Sequence, residues 1–320
     1  MKFLRFLRVV CLAALVSIPV FWIQFGSEPF TDLVRFVAGT PYDRYALSLK
    51  WSRAAGSEAS RAWLEAAKTA VATPMRLTRS HHVFRFDADT PSAGAFAVTL
   101  RRGQRYVVET KIDGAAGDPI FVNLLRREGT TIDSIAYAPE SGGRIDVEIE
   151  ADGEYIVRVQ PALRAGADIA LTMRIEPTLR LPVQQATRRS IGSVYGDPRD
   201  GGRRDHHGVD IFASRGTPVV AAASGIVTRV GTNGLGGNVV WITRPMRGEA
   251  HYYAHLDRQL VTVGTRVQAG DVIGLVGNSG NARSTPPHLH FGIYAPGGAV
   301  DPLPYIVGSQ PGEPDTARPT

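Results

Sequence analysis

The sequence has almost no cysteine. Its 320 residues include only Cys11, which lies inside an N-terminal apolar stretch. A disulfide framework and a cysteine-ligated metal site are therefore excluded for the rest of the chain. Any metal ion must be held by histidine and carboxylate side chains.

Signals for nucleic-acid binding are also lacking. No known nucleic-acid motif occurs, and no run of lysine and arginine is interleaved with aromatic residues. The net charge of +6 suits an anionic partner such as a wall polymer or a membrane surface. We therefore expect no nucleic acid among the partners.

Only one stretch is apolar enough to interact with a membrane. It runs from Val9 to Phe25 and follows three basic residues. Positive charge before an apolar segment directs the following chain across the membrane. Residues 1–28 are therefore predicted to be a signal peptide or a membrane anchor, and the lack of a small-x-small cleavage motif favours the anchor. Both alternatives predict a periplasmic or cell-envelope protein, either exported or anchored in the inner membrane.

Residues 29–80 are predicted to form a helical spacer. Thr40-Pro41 is a helix start signal, since proline is favoured at the first helical position. Gly56 ends this helix, and Ser57 can cap a second one. The helix pair either binds a partner or packs against the next domain, and packing is the preferred interpretation. The second helix carries an apolar stripe at helical spacing: Ala59, Ala62, Trp63, Ala66, Ala70 and Val71.

Residues 81–177 show the alternation of apolar and polar residues that is typical of β-strands. Turn signals such as Asp152-Gly153 separate the alternating runs, which predicts an antiparallel β-sandwich domain. The whole chain is thus predicted to be mainly β, with residues 308–320 as a disordered tail. The alternating apolar residues include Phe84, Phe86, Phe96, Val98, Leu100, Tyr106, Val108, Ile145, Val147, Tyr155, Val157, Val159, Ile169, Leu171, Met173 and Ile175.

Six of the eight histidines fall in one part of the chain, between residues 206 and 290. His206 and Asp210 are four residues apart, among residues that favour a strand, so they are predicted to share one strand face. His288 and His290 are two apart and would face one pocket from a strand. A catalytic zinc needs three protein ligands and an open position, which two histidines and one carboxylate can provide. The remaining histidines can then transfer protons or stabilise an oxyanion.

Three motifs in this region resemble those of the M23 family of LytM/lysostaphin-type metallo-endopeptidases. They are H-x-x-x-D at 206–210, Tyr-Ala-His-Leu at 253–256 and His-Leu-His at 288–290. Each motif is short, but they occur in order and with compatible spacing, which makes the combination specific. The resemblance covers roughly residues 180–306.

The resemblance implies both a fold and a site. Residues 178–307 are expected to be an antiparallel β peptidase domain that binds one zinc ion per chain. The implied reaction is hydrolysis of peptide bonds in peptidoglycan stems or cross-links. Thr285-Pro286-Pro287 departs from the family, which commonly has a glycine beside the proline. The implied zinc ligands are His206, Asp210 and His290, and the implied catalytic residues are His255 and His288.

A second function remains open. Some family members have lost ligands and only activate other wall hydrolases, whereas this chain keeps all five positions, which favours catalysis. The alternative is a LytM-type regulator, with a cell-wall or divisome protein bound through residues 81–177. His207 is predicted to point away from the metal site, and His251 to share a strand face with His255.

Overall fold

The computed structural model describes residues 39–51, 57–114 and 118–308. The predicted signal peptide or anchor, Gly56 and residues 309–320 of the predicted tail lie outside this set. None of the described helices is long and apolar enough to cross a membrane. The described chain is mainly β, which confirms that part of the predicted fold class.

Two capped helices lie at the start of the described chain, α1 (Pro41–Trp51) and α2 (Glu58–Ala72). The Asp43 carboxylate accepts hydrogen bonds from the backbone N–H and the hydroxyl of Thr40, at 2.8 and 2.6 Å. Ser57 caps α2, as predicted, by accepting a backbone hydrogen bond. These side chains satisfy N–H groups that have no partner within the helix, which explains where each helix begins.

The helix pair packs on a sheet. Trp63 of α2 is 1% exposed, and its ring lies 6.1 Å from that of Phe121. Its indole Nε1 donates to the carbonyl of Pro161 at 2.8 Å. An indole buried with its N–H satisfied is a stable anchor, so the helices cover the outer face of this sheet.

Two sheets form the first β region, residues 75–177. Their strand orders are β1-β3-β8-β5-β6 and β2-β9-β4-β7. The apolar residues that alternate in the sequence meet in one core to which both sheets contribute. The strands are β1 (Met75–Arg76), β2 (His81–Phe86), β3 (Gly94–Leu100), β4 (Gln104–Gly114), β5 (Ile120–Glu128), β6 (Thr131–Tyr137), β7 (Gly143–Glu148), β8 (Gly153–Pro161) and β9 (Ala167–Pro177).

The second β region, residues 178–308, is built on a ten-stranded sheet. Its main path is β10-β13-β20-β17-β16-β15-β18, and a two-stranded hairpin, β11-β12, lies beside it. The described elements are β10 (Ile191–Ser193), β11 (Pro198–Arg199), β12 (Arg204–Asp205), β13 (Val209–Phe212), β14 (Pro218–Val220), β15 (Gly225–Asn233), β16 (Gly237–Arg244), β17 (Glu249–Gln259), β18 (Arg266–Val267), β19 (Val272–Val276), β20 (His288–Ala295), β21 (Gly298–Val300) and the short helix α3 (Leu303–Ile306).

The two β regions contact each other directly. Gly103 has a φ of +88°, and a Cβ there would lie 2.4 Å from the ring of Tyr305, so only glycine fits. Arg247 donates two hydrogen bonds to the Glu148 carboxylate, at 3.0 and 2.5 Å. Apolar packing and ion pairs therefore join the regions, and a second ion pair links Arg101 to Asp301 at 3.8 Å.

Candidate metal centre

Strand pairing brings the distant motifs together. In the antiparallel pair β13–β20, Asp210 lies opposite His290 and Phe212 lies opposite His288. Residues directly opposite each other share a sheet face, as do residues two apart on one strand. The His-Leu-His motif therefore presents both rings on the face that carries Asp210.

His206 reaches this face from a loop, which corrects the prediction of a strand over 206–210. Only Asp210 lies in β13, whereas His206 follows the β11–β12 hairpin. Gly208 explains the path, because a Cβ there would lie 2.5 Å from the Phe291 carbonyl oxygen and 2.7 Å from the His290 ring. The chain passes too close to β20 for any side chain, and this lets His206 turn back over the site.

Three potential ligand atoms converge at this point. His206 Nε2 lies 3.0 Å from Asp210 Oδ1 and 2.9 Å from His290 Nδ1, and the remaining pair is 3.1 Å apart. The His206 Nδ1 faces the Val194 carbonyl at 2.9 Å, and a carbonyl can only accept. Nδ1 therefore carries the proton and Nε2 offers its lone pair.

This donor set fits a zinc ion. Acceptor atoms about 3 Å apart repel one another unless a proton or a cation lies among them. Their separation suits ligands that each lie about 2.0–2.2 Å from one zinc ion. The backbone carbonyl on the far side of the His206 ring also follows the usual pattern for metal-binding histidines. The group formed by His206, Asp210 and His290 could hold a metal ion.

Asp210 is ionised, and an arginine binds the carboxylate oxygen that does not face the histidines. Burial alone would raise its pKa, but His206 and His290, where their rings hold a proton in the place of a cation, outweigh burial and hold the pKa of this carboxyl well below its usual range. Arg199 Nη2 donates to Asp210 Oδ2 at 2.9 Å and to the Ser193 hydroxyl at 2.5 Å. One carboxylate oxygen thus faces the histidines while the other is occupied by Arg199.

Two further histidines line the same site. The His255 ring centre lies 5.0 Å from that of His288 and 5.9 Å from that of His290, and His288 Nε2 is 4.0 Å from Asp210 Oδ1. His255 Nδ1 faces the Ser279 carbonyl and His288 Nδ1 the Pro286 carbonyl, both at 2.9 Å. In each ring Nδ1 therefore carries a proton and Nε2 is free to accept one. Burial, and then the charges of His290 and His288, lower the pKa of His255 to about 4.

The prediction that His251 and His255 share a strand face is wrong. His255 has a φ of +61°, in the left-handed region, and the pairing register of β17 shifts on both sides of it. This local irregularity turns His255 to the site face. His251 follows the regular alternation instead and is 0% exposed, 5.7 Å from the Phe291 ring.

The other histidines lie outside the group. His207 is exposed and packs on Tyr195, with ring centres 6.1 Å apart, which agrees with its predicted direction away from the ligands. His81 and His82 lie on β2 in the first β region.

The sequence interpretation missed Arg199. Arg204 pairs with Asp200 at 2.5 Å on the exposed hairpin. The signal was weak, because Arg199 reaches the site only through the β11–β12 pairing, in which it lies opposite Arg204. Nothing in the spacing of the motifs points to that hairpin.

A mainly β region with a potential three-ligand metal centre and two adjacent histidines defines a class, that of candidate metal-dependent hydrolases. Comparison with known proteins identifies the family. Residues 204–302 match the model of peptidase family M23, so the chain contains an M23 domain.

Curated relatives share this domain. An L-Ala–D-Glu endopeptidase of Bacillus subtilis is 40% identical over 143 residues, 41% of this chain and 43% of the relative. Lysostaphin of Staphylococcus simulans is 39% identical over 106 residues, 32% of this chain and 21% of the relative. This chain thus spans less than half the length of either protein.

Solved structures also match part of this chain. The catalytic domain of lysostaphin from Staphylococcus simulans matches with 36% identity and a TM-score of 0.33, covering 36% of this chain and 89% of that domain. A SpoIIQ–SpoIIIAH complex matches with 22% identity and a TM-score of 0.34, covering 41% of this chain and 91% of that chain.

Proposed function

We propose that the protein is a zinc-dependent endopeptidase that hydrolyses peptide bonds in peptidoglycan stems or cross-links. The observation that carries this proposal is the convergence of His206, Asp210 and His290 beside two more histidine rings. The similarity to an L-Ala–D-Glu endopeptidase and to lysostaphin supports the substrate class.

In this proposal His206 Nε2, His290 Nδ1 and Asp210 Oδ1 are the metal ligands. Zinc bound there would supply an electrophile for peptide hydrolysis at neutral pH. Arg199 keeps Oδ2 of Asp210 directed away from the ligand atoms. The carboxylate then contributes one oxygen, which leaves room beside the centre for a substrate carbonyl.

His255 and His288 are the proposed proton-transfer residues. Their Nδ1–H groups are fixed by backbone carbonyls, so each ring presents Nε2 at a constant angle. His255 has a pKa near 4 and is therefore neutral at pH 7, able to accept a proton at Nε2 and return it to the leaving amine. His288 lies between His255 and the ligand carboxylate, where a protonated Nε2 would stabilise a developing oxyanion.

The rest of the chain receives proposed roles from the same interpretation. Residues 178–307 would be the peptidase domain, and residues 81–177 a β-sandwich domain that contacts a cell-wall or divisome protein. The basic apolar start of the chain favours a periplasmic or cell-envelope location, with residues 1–28 as a signal peptide or anchor.

Mass spectrometry of muropeptides tests the proposal. The full chain is incubated with purified muropeptides, then with a chelator, and then with zinc restored. We expect cleaved stems or cross-links, loss of cleavage with the chelator, and recovery with zinc. A zinc-loaded protein that leaves every muropeptide intact but activates a separate wall amidase would refute the proposal and support the regulatory alternative.

A further inference from the structure

A cleft in the first β region has the size of a ligand site. It lies between the two helices and strands β5, β6 and β8, and has a volume of about 690 Å³. Small-molecule sites occupy about 300–1,000 Å³ and combine apolar walls with a few polar groups. The cleft is remote in sequence from the metal centre, so its occupant is a separate question.

A buried arginine borders this cleft. Arg158 of β8 is 8% exposed, and its guanidinium carbon lies 3.3 Å from the ring centre of Tyr42. Nη2 donates to the Asn123 side chain at 2.8 Å, whereas Nε is buried without a partner. Within the described ranges, no carboxylate oxygen lies within 4 Å of this guanidinium.

An arginine in such surroundings favours an anion. Burial lowers the pKa of Arg158, but a guanidinium stays charged at any physiological pH. A buried charge is destabilising unless it is paired and hydrogen-bonded. The ring of Tyr42 compensates part of this charge and leaves the unpartnered Nε unsatisfied.

The other charged residues of the cleft compensate Arg158 only in part, through the charge of Asp43, which raises the pKa of Arg158 against the effect of burial. The Asp43 carboxylate is already held by two hydrogen bonds from Thr40 at the start of α1. Arg127 is bound by Glu154 at 2.6 Å, and Lys68 reaches Glu65 at 2.6 Å on the surface. The lining thus contains three cations and one acid.

The cleft also has apolar lining residues. Val71 and Ala72 of α2, Leu125 of β5 and the exposed Ile132 of β6 contribute to the lining. Ser134 of β6 adds a hydroxyl. A ligand that suits this lining has an anionic end for Arg158 and a short apolar body.

We propose that this cleft binds a small carboxylate-bearing molecule, with the carboxylate on Arg158 and the apolar part against α2 and β6. Two sources share this chemistry, the free C-terminus of a short peptide and a short fatty acid. The proposal does not depend on the peptidase activity.

Calorimetric titration of the full chain tests it. The probes are N-acetyl-alanyl-alanine and hexanoate, each compared with its uncharged amide. We expect at least one acid to bind with a dissociation constant of about 1 mM or tighter, and its amide to bind at least tenfold more weakly. Binding of N-acetyl-alanyl-alanine identifies a peptide C-terminus as the source of the carboxylate, and binding of hexanoate identifies a fatty acid.

Two variants assign the binding to this cleft. Arg158→Met removes the cation, and Ser134→Trp adds a large side chain at a lining residue of β6, a strand that is separated from Arg158 by β5. Each is expected to weaken acid binding at least tenfold, whereas Arg85→Met, which removes an exposed arginine of β2, leaves it unchanged. If Arg158→Met does not fold, the binding measured for Ser134→Trp alone tests whether the acid binds in this cleft. Absence of acid binding to the native chain, equal binding of the amides, or unchanged binding by a folded cleft variant would overturn the proposal.

Discussion

The two β regions each hold an inward-facing arginine, but in different company. In the second region Arg199 donates to the Asp210 carboxylate at 2.9 Å and to a serine hydroxyl. In the first region Arg158 meets an aromatic ring and an amide oxygen, and no described carboxylate oxygen lies within 4 Å. Because a buried charge is stable only when it is paired, the two environments require different explanations.

The two arginine environments differ in the number of polar groups that converge on one point. Around Asp210, histidines, an arginine and a serine direct polar atoms at one carboxylate, which suits a metal ion and chemistry. Around Arg158, the protein's own groups leave one donor unsatisfied, which suits a ligand that arrives from solution. Variants at each position can therefore test whether the two arginines have these different roles.

Removal of a converging ligand is expected to have the largest effect. His290→Ala leaves two protein ligands, fewer than the three of a catalytic zinc site. Zinc content and muropeptide hydrolysis should fall together, with the rate reduced about 10³-fold or more. Elemental analysis and mass spectrometry measure both quantities, with His207→Ala at the exposed neighbour of His206 as the matched control. Zinc-dependent hydrolysis that survives in the variant would contradict the ligand assignment.

Substitution of His288, the other histidine of the His-Leu-His motif, should impair catalysis but spare metal binding. His288→Ala is expected to lower the turnover rate by about 10²–10⁴-fold, because a proton-transfer group is lost. Zinc content should stay near one ion per chain. If the variant loses its zinc instead, the roles assigned to His288 and His290 are exchanged.

Sequence patterns predicted the parts of this molecule that follow regular geometry. Alternation identified the residues that fill the core of the first β region, and the two-residue spacing of His288 and His290 placed both rings on one face. The ligand set itself came from a family resemblance, because spacing alone does not show which distant strands become neighbours.

Besides Arg199, three features escaped prediction, and each depends on an irregular or tertiary contact. His206 lies in a loop whose path requires Gly208. His255 itself has a left-handed backbone conformation, and it lies where the pairing register of β17 shifts. Arg158 alternates with Val157 and Val159, so the pattern predicts a solvent-facing side chain. The helices cover that face of the sheet, and both faces of β8 are therefore buried.

Removal of Arg199, the arginine that pairs with Asp210, should weaken metal binding without abolishing it. Arg199→Met leaves the three ligands in place but frees Oδ2 of Asp210, so the carboxylate can rotate. Removal of such a supporting contact typically costs about 10–100-fold in metal affinity. Competition with a chromogenic chelator measures this, and Arg204→Met on the exposed hairpin serves as the control. Unchanged affinity would show that the Arg199 contact does not position the carboxylate.

His251 is the isolated buried group of the second region, and it should make stability depend on pH. Burial, and then the charge of Arg244, lower its pKa to about 3, below the ordinary 6.5. The unfolded chain therefore binds more protons between pH 3 and 6.5. Stability is fully present above pH 6.5 and falls as the pH decreases toward 3.

The matched variant is His251→Leu, which removes the titrating group. The native chain should lose about 2 kcal/mol of unfolding free energy between pH 7 and pH 5 that the variant keeps. Denaturant titrations at the two pH values measure the difference, with exposed His207→Leu as the control. Equal pH dependence in the native chain and the variant would mean that His251 gains a proton or a partner within the fold.

The ion pair of Arg247 with Glu148, one of two between the regions, should have the smallest effect. The side chains of Arg247 and Glu148 are 46% and 30% exposed, so solvent screens their attraction. A double-mutant cycle with Arg247→Met and Glu148→Gln should give a coupling free energy of about 0.2–1 kcal/mol, which decreases at high salt. A much larger value would show that charge holds the regions together. A small one leaves that role to the second ion pair between the regions and to the contact of Tyr305 with Gly103, where any side chain would collide with the ring.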